Sequence, residues 1–272
     1  MASRHSPLTL WHLLSLDAPT VAALWTWFIA RSAGIALPFA APAAMFVAVW
    51  ILYAADRLLD AHNADPATLE DRHHFHHRHR TFFVLMIAAA AITLTALAPA
   101  LLPSAVRLYA LLGALLAGWF LLIHVRLAHE RRLPKELAVG LFFAAAIFIP
   151  TVARRPDLRL HLLAPAILFG AACALNCIFL YAWEHPHLRP NANWTTRIAL
   201  QHLTAIAIAT LTASLLCAAL LLSLAAIPAA TALSILLLLT LHRLRTRIPP
   251  LPLRAAADLA LLTPLLIAPF IR

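Results

Sequence analysis

Asp56 and Asp60 stand four residues apart at the end of an apolar run, in "ILYAADRLLDAHNADPATLEDRHHFHHRHR" (residues 51–80). On a helix this spacing puts both carboxylates on one face, one turn apart, and Tyr53 shares much of that face. Two like charges so close repel unless a cation lies between them or one takes up a proton. The pair therefore suits hard-cation binding. The plain structural alternative is a wetted helix end, with Asp60 capping the loop and Arg57 pairing outward. Beyond them, His73, His76, His77 and Arg80 fall at i, i+3, i+4 and i+7, one polar face if the segment is helical. His73 and His77 have the spacing of a transition-metal pair, yet no cysteine accompanies them. The expectation is a short surface helix over the site, touching phosphate or lipid head groups without tightly held zinc. A structural metal site and an inert loop are the alternatives.

Two further stretches could join this chemistry. In "CALNCIFLYAWEHPH" (residues 173–187), Asn176 and Glu184 are eight apart on nearly one helical face. Asn176 then lies about 12 Å deeper than Glu184 at 1.5 Å per residue, near the depth expected for Asp56. An interhelical hydrogen bond is the simpler use of Asn176. "HVRLAHERRLPKELAVG" (residues 124–140) holds the chain's only lysine, Lys135, at the expected start of a helix, a position that favours anions. Snorkelling to lipid phosphate is the alternative for its basic residues. Arg254 and Asp258 are expected to pair with each other or sit at the water edge, and Arg31 to snorkel.

The elements that must position these groups are set by composition. Of 272 residues, 63% are hydrophobic and 12% charged, an excess that one soluble core cannot hide. Long apolar runs recur throughout, so a bilayer is the expected solvent. Nine spans are expected, near 18–36, 38–58, 81–101, 104–123, 135–152, 161–183, 198–222, 224–243 and 254–271. Prolines such as Pro38, Pro103, Pro134, Pro228 and the pair Pro249 and Pro250 mark their ends. With no soluble insertion and no short repeat, residues 1–272 read as a single integral membrane domain, an all-α polytopic bundle of nine transmembrane helices. Cys173, Cys177 and Cys217 fall inside apolar runs, as small buried residues rather than a disulfide framework. The first apolar stretch has no small-residue cleavage site and does not read as a removable signal.

The net charge of +10 raises nucleic acid as a partner, but the arginines fall between apolar runs, as membrane flanks do, so no nucleic-acid partner is expected. Counted on alternate sides, 15 of the 21 Lys and Arg residues share one side. These are Arg4, four between 57 and 80, four between 126 and 135, Arg189, Arg197, and four between 243 and 254. The positive-inside bias makes that side, and the N-terminus, cytoplasmic. Asp56, Asp60, Lys135 and Glu184 all lie toward it. The expected location is a bacterial inner membrane.

"LYAADRLLD" resembles the first aspartate-rich motif, N-D-x-x-D-x-x-x-D, of the UbiA superfamily of intramembrane prenyltransferases. Asp56, Arg57 and Asp60 match its last part, and Leu52 and Tyr53 stand at its leading Asn and Asp positions. The layout is similar too: nine helices, a cytoplasmic N-terminus, and the motif at the cytoplasmic end of the second helix. The resemblance implies a UbiA-like fold and a Mg²⁺ cofactor that grips the diphosphate of a prenyl donor. It implies Asp56 and Asp60 as catalytic carboxylates and, with Asn176 and Glu184 at the second motif's place, as the Mg²⁺ ligands. Arg57, Arg72 and Lys135 would bind diphosphate, and an aromatic or lipid acceptor would receive the prenyl group. A catalytically silent isoprenoid-binding relative is the second reading. A metal or solute transporter is the third; it calls for polar residues through the membrane and on the outer side, where these spans are nearly bare.

Overall fold

The computed structural model describes residues 7–63, 78–126, 135–185 and 194–271, with side chains described except at 7–9, 60–63, 120–126 and 135. The described residues are helical, with no strand. We label the helices α1 (Pro7–Leu13), α2 (Asp17–Ser32), α3 (Ala40–Asn63), α4 (Arg80–Leu97), α5 (Pro103–Arg126), α6 (Lys135–Arg154), α7 (Arg159–Glu184), α8 (Trp194–Gln201), α9 (Leu203–Leu220), α10 (Ala226–Leu244), α11 (Pro250–Leu259) and α12 (Pro264–Ile267). Six helical stretches are long and apolar enough to cross a bilayer, and the bent α11–α12 pair raises this to as many as seven. This is the make-up of a multi-pass membrane protein.

Each apolar run read from the sequence coincides with helix, but three are shorter or broken. The first run is α2, with 16 residues, about 24 Å long at helical rise, short of the roughly 30 Å hydrocarbon core. The seventh run breaks at His202 into α8 and α9. The ninth breaks between Leu259 and Pro264, with the two pieces bent by 48°. Backbone freed by such a break needs a partner inside the protein. Here the Trp25 indole donates to the Leu261 carbonyl at 2.7 Å, and the Thr263 hydroxyl reaches Ser234 at 2.7 Å and the Ala230 carbonyl at 2.8 Å.

α7 is the central post, packed by α6, α9, α10 and α11; α2 joins α3 and α6, and α4 and α5 lie outermost. The main core gathers Trp25, Phe28, Ile147, Phe169 and Ile227, with the Trp25 and Phe169 rings 4.1 Å apart. α4 buries Phe83 against Trp50 and Ala54 and leaves Leu85 and Ile92 outward, as a lipid-facing helix does. Along α6 and α7, Gly140 and Gly170 bring the backbones close enough that a Cβ on Gly140 would collide with the Gly170 carbonyl oxygen.

Candidate functional site

α1 ends in a tight corner before α2, where Ser15 takes a positive φ of 59°, an uncommon conformation for a residue with a Cβ. The corner is fixed from outside. Trp50 and Arg57, seven residues apart on one face of α3, hold two of its carbonyls: the Trp50 indole donates to Leu14 O at 3.0 Å and Arg57 Nη1 to His12 O at 2.6 Å. The residues at a helix end that lack helical partners are satisfied by side chains of the neighbouring helix.

Around this corner four chain segments place polar groups in contact. Asp17, the first residue of α2, accepts from its neighbour's amide, Ala18 N, at 2.9 Å and from Arg57 Nη2 at 3.3 Å. His12 Nδ1 lies 2.7 Å from Asp17 Oδ2 and 3.7 Å from Asp258 Oδ2 of α11. Asn176 of α7 donates to Asp258 Oδ1 at 3.2 Å. His12, Asp17, Arg57 and Asn176 are all buried, and Asp258 is largely so. One turn before Asp258, Arg254 pairs with Glu184 at the end of α7. The α1–α2 corner thus meets the C-terminal parts of α3, α7 and α11.

The knot carries unmet demand. Neither ring nitrogen of His12 makes a well-directed hydrogen bond, and the Asn176 amide oxygen has no partner; the 2.7 Å approach of His12 to Asp17 is close contact without N–H alignment. Buried polar atoms normally find partners. Two carboxyl groups, Asp17 and Asp258, face one guanidinium, Arg57, so one of the two acids must be balanced by a proton or by another cation. His12 is held below its ordinary pKa: burial is the largest influence, opposed by the contact with Asp17 and assisted by the Arg57 and Arg254 charges. Its ring is therefore neutral near neutral pH.

The residues singled out in the sequence divide as follows. Arg57 and Asn176 enter one knot, joined through Asp17, His12 and Asp258. Arg57 is tied to Asp17 and the His12 carbonyl rather than paired outward, and Asn176 makes the interhelical bond. Glu184 meets Arg254, so Arg254 and Asp258 each turn to another helix as well as standing on one face of α11. Asp56 is exposed on α3 beside the knot. Asp60 lies in the last turns of α3 and Lys135 opens α6, both outside the described side chains. Arg72, His73, His76 and His77 lie outside the described residues. Arg31 donates to Ile271 O at 3.2 Å and lies over the Trp27 ring, and all three cysteines are free thiols.

His12, Asp17 and Asp258 were not among the predicted site residues. Asp17 reads locally as a helix-capping residue before "APT", and His12 as one aromatic among several. Asp258 did carry a signal, an acid in the run "AAADLALL", because an ionisable residue within a membrane segment is costly and points to function. Comparison with family models, curated proteins and solved structures finds no match for this chain.

Proposed function

We propose that this protein transfers a prenyl group from a prenyl diphosphate to an aromatic or lipid acceptor, as a UbiA-like membrane enzyme using Mg²⁺. The observation that supports this most is the gathering of acid, amide and basic groups at one end of an otherwise apolar bundle. Asp56 and Asp60 lie in the last turns of α3, Glu184 ends α7 with Asn176 two turns before it, and Lys135 opens α6. The six long stretches and the broken α11–α12 pair make up to seven crossings; the family's nine would need the short α2 and α5 to cross as well, with the N-terminus cytoplasmic by the charge bias.

The donor set fits Mg²⁺, a hard ion that takes oxygen ligands and keeps several waters. Asp56 offers an accessible carboxylate, and the Asn176 amide oxygen has no protein partner. Bound there, Mg²⁺ would neutralise charge developing on the departing diphosphate. The chain's own part is to hold that diphosphate, with Asp56 and Asp60 anchoring its counter-ion and Lys135 and Arg72 supplying positive charge. As the allylic C–O bond breaks, the electron pair leaves with the diphosphate. The acceptor's nucleophilic atom forms the new bond to carbon and then gives up a proton. Apolar helix faces exclude water from the allylic cation.

A silent isoprenoid-binding relative is the second reading. It is favoured by one observation: Arg57, Asn176 and Glu184 are already engaged with Asp17, Asp258 and Arg254. The test is donor binding and turnover, with and without Mg²⁺, for wild type, Asp56→Ala and Asp60→Ala. Enzymatic function predicts a rate loss of about 10²-fold or more for either variant, the size typical of deleting one electrostatic stabiliser. Donor binding that ignores both Mg²⁺ and the substitutions sinks the metal–diphosphate role. Mg²⁺-dependent binding without prenylation of any quinone precursor or lipid favours the silent relative.

A further inference from the structure

We infer that His12, Asp17 and Asp258 form a binding site for a divalent transition-metal ion. The site is distinct from the Asp56 and Asp60 pair and does not depend on prenyl transfer.

The geometry comes first. One ligand atom from each of His12, Asp17 and Asp258 lies within 4.8 Å of the others. Ligands about 2.1 Å from a shared ion stand no more than about 4.2 Å apart, so closure of the widest pair by up to about 0.6 Å brings it within reach of one ion. The groups come from α1, α2 and α11, positioned by the Ser15 corner and by Arg57 and Trp50.

The second observation is independent of this clustering. Both nitrogens of the His12 ring and Asn176 Oδ1 lack well-directed partners, and His12 and Asn176 are more than nine-tenths buried. The His12 ring is aimed into the cluster, with Nδ1 2.7 Å from Asp17 Oδ2 and 3.7 Å from Asp258 Oδ2, and Asn176 supports Asp258 by donating to its Oδ1. A buried lone pair left without a donor is costly, and a cation satisfies an imidazole nitrogen. Asp17 and Asp258 stand against one guanidinium, Arg57, so the second acid must be balanced by a proton or by a cation. Arg57 shares the Asp17 Oδ2 atom at 3.3 Å, so it stands in the outer shell, while its other nitrogen stays anchored on His12 O.

The donor types choose the ion. An imidazole with two carboxylates is a mixed nitrogen and oxygen set. Mg²⁺ and Ca²⁺ favour oxygen alone, whereas Mn²⁺, Fe²⁺, Co²⁺ and Zn²⁺ accept imidazole readily. A ligating histidine must be neutral.

The experiment uses full-length protein in detergent with a tag that contains no histidine. His73, His76 and His77 are changed to alanine in a parallel background, to remove the sequence's other imidazole cluster. Mn²⁺ binding is followed by electron paramagnetic resonance, and nitrogen coupling to bound Mn²⁺ is measured by pulsed methods. The expected result is about one Mn²⁺ per chain with imidazole nitrogen coupling in both backgrounds. Asp258→Asn and His12→Gln each weaken the nitrogen-coupled binding by at least the roughly 10- to 100-fold that follows loss of a supporting ligand partner, and Asp56→Ala leaves the nitrogen coupling in place, whatever it does to Mn²⁺ held at the Asp56 carboxylate. The nitrogen coupling is read on wild type, so it decides the matter even if a variant fails to fold. Absence of stoichiometric Mn²⁺, Co²⁺ or Zn²⁺ in folded wild type overturns the inference and leaves a proton as the neutralising charge. So does binding without nitrogen coupling, or nitrogen-coupled binding abolished by Asp56→Ala and kept by Asp258→Asn.

Discussion

Where α6 runs along α7, Gly140 and Gly170 let two backbones nearly touch. Where the α1–α2 corner and α11 meet α3 and α7, contact is made instead by charged and amide groups reaching across from His12, Asp17, Arg57, Asn176 and Asp258. Both are interfaces between helices of one bundle. In a bilayer an apolar side chain gains little by leaving lipid for a neighbouring helix, so association relies on close packing of small residues or on interhelical polar bonds. The glycine seam uses the first device and leaves no polar atom to satisfy. The knot uses the second and pays a desolvation cost for every group. A structural clamp could be built the first way throughout, so the costlier arrangement marks the end of the bundle where chemistry is expected.

Removing Asp17 should have the largest effect, because it breaks the knot while leaving its cation in place. Arg57 is buried, and its Nη2 has Asp17 as its partner. Taking one partner from a buried ion pair typically costs about 3–5 kcal/mol. Asp17→Ala is expected to show that loss in equilibrium unfolding followed by tryptophan fluorescence. The double variant Asp17→Leu with Arg57→Met sharpens the point, since replacing both charges by apolar groups is often neutral or stabilising. A double variant as unstable as the single one would mean that the pair is needed for the fold, and the contrast with the glycine seam would lose its meaning.

Gly140→Ala comes next. The new Cβ would overlap the Gly170 carbonyl oxygen and crowd Ala174 at 3.0 Å. Those are backbone and short side-chain atoms that cannot swing aside, so α6 and α7 must separate. Overpacking of this kind costs about 1–3 kcal/mol, more than the roughly 1 kcal/mol that alanine gains over glycine inside a helix. A lowered unfolding midpoint with unchanged helicity is the expected outcome. A raised midpoint would show that the seam has slack.

How far these two interfaces were legible follows from where their determinants lie along the chain. The helices themselves were readable, because each run of apolar residues carries its own signal; the 24 residues of α3 and the 26 of α7 need no distant partner to be recognised. The breaks near His202 and Leu261 were not, because an apolar run looks continuous whether or not a neighbour stands ready to hold freed carbonyls, as Trp25 does from 236 positions away. The same separation hid the knot. His12 and Arg57 are 45 residues apart, and Asn176 and Asp258 are 82 apart. Only packing brings the α1–α2 corner, α3, α7 and α11 to one place. Sequence singled out Arg57, Asn176 and Glu184, and each touches the knot or its rim, but nothing in it joined them to His12 and Asp17.

Gly170→Ala is the smallest effect and the finest probe of the seam. A Cβ there would meet Gly140 O at 3.1 Å and the Ala144 methyl at 3.3 Å, tighter than usual but without the overlap at Gly140. The required shift is a few tenths of an ångström. Against it stands the roughly 1 kcal/mol gained by replacing glycine within a helix. The two terms nearly cancel, so the unfolding midpoint should stay close to that of wild type, well above that of Gly140→Ala measured in the same detergent. Equal losses at both positions would show that the α6–α7 seam is close along its whole length. The asymmetry between the two glycines would then be no guide to where the bundle can yield.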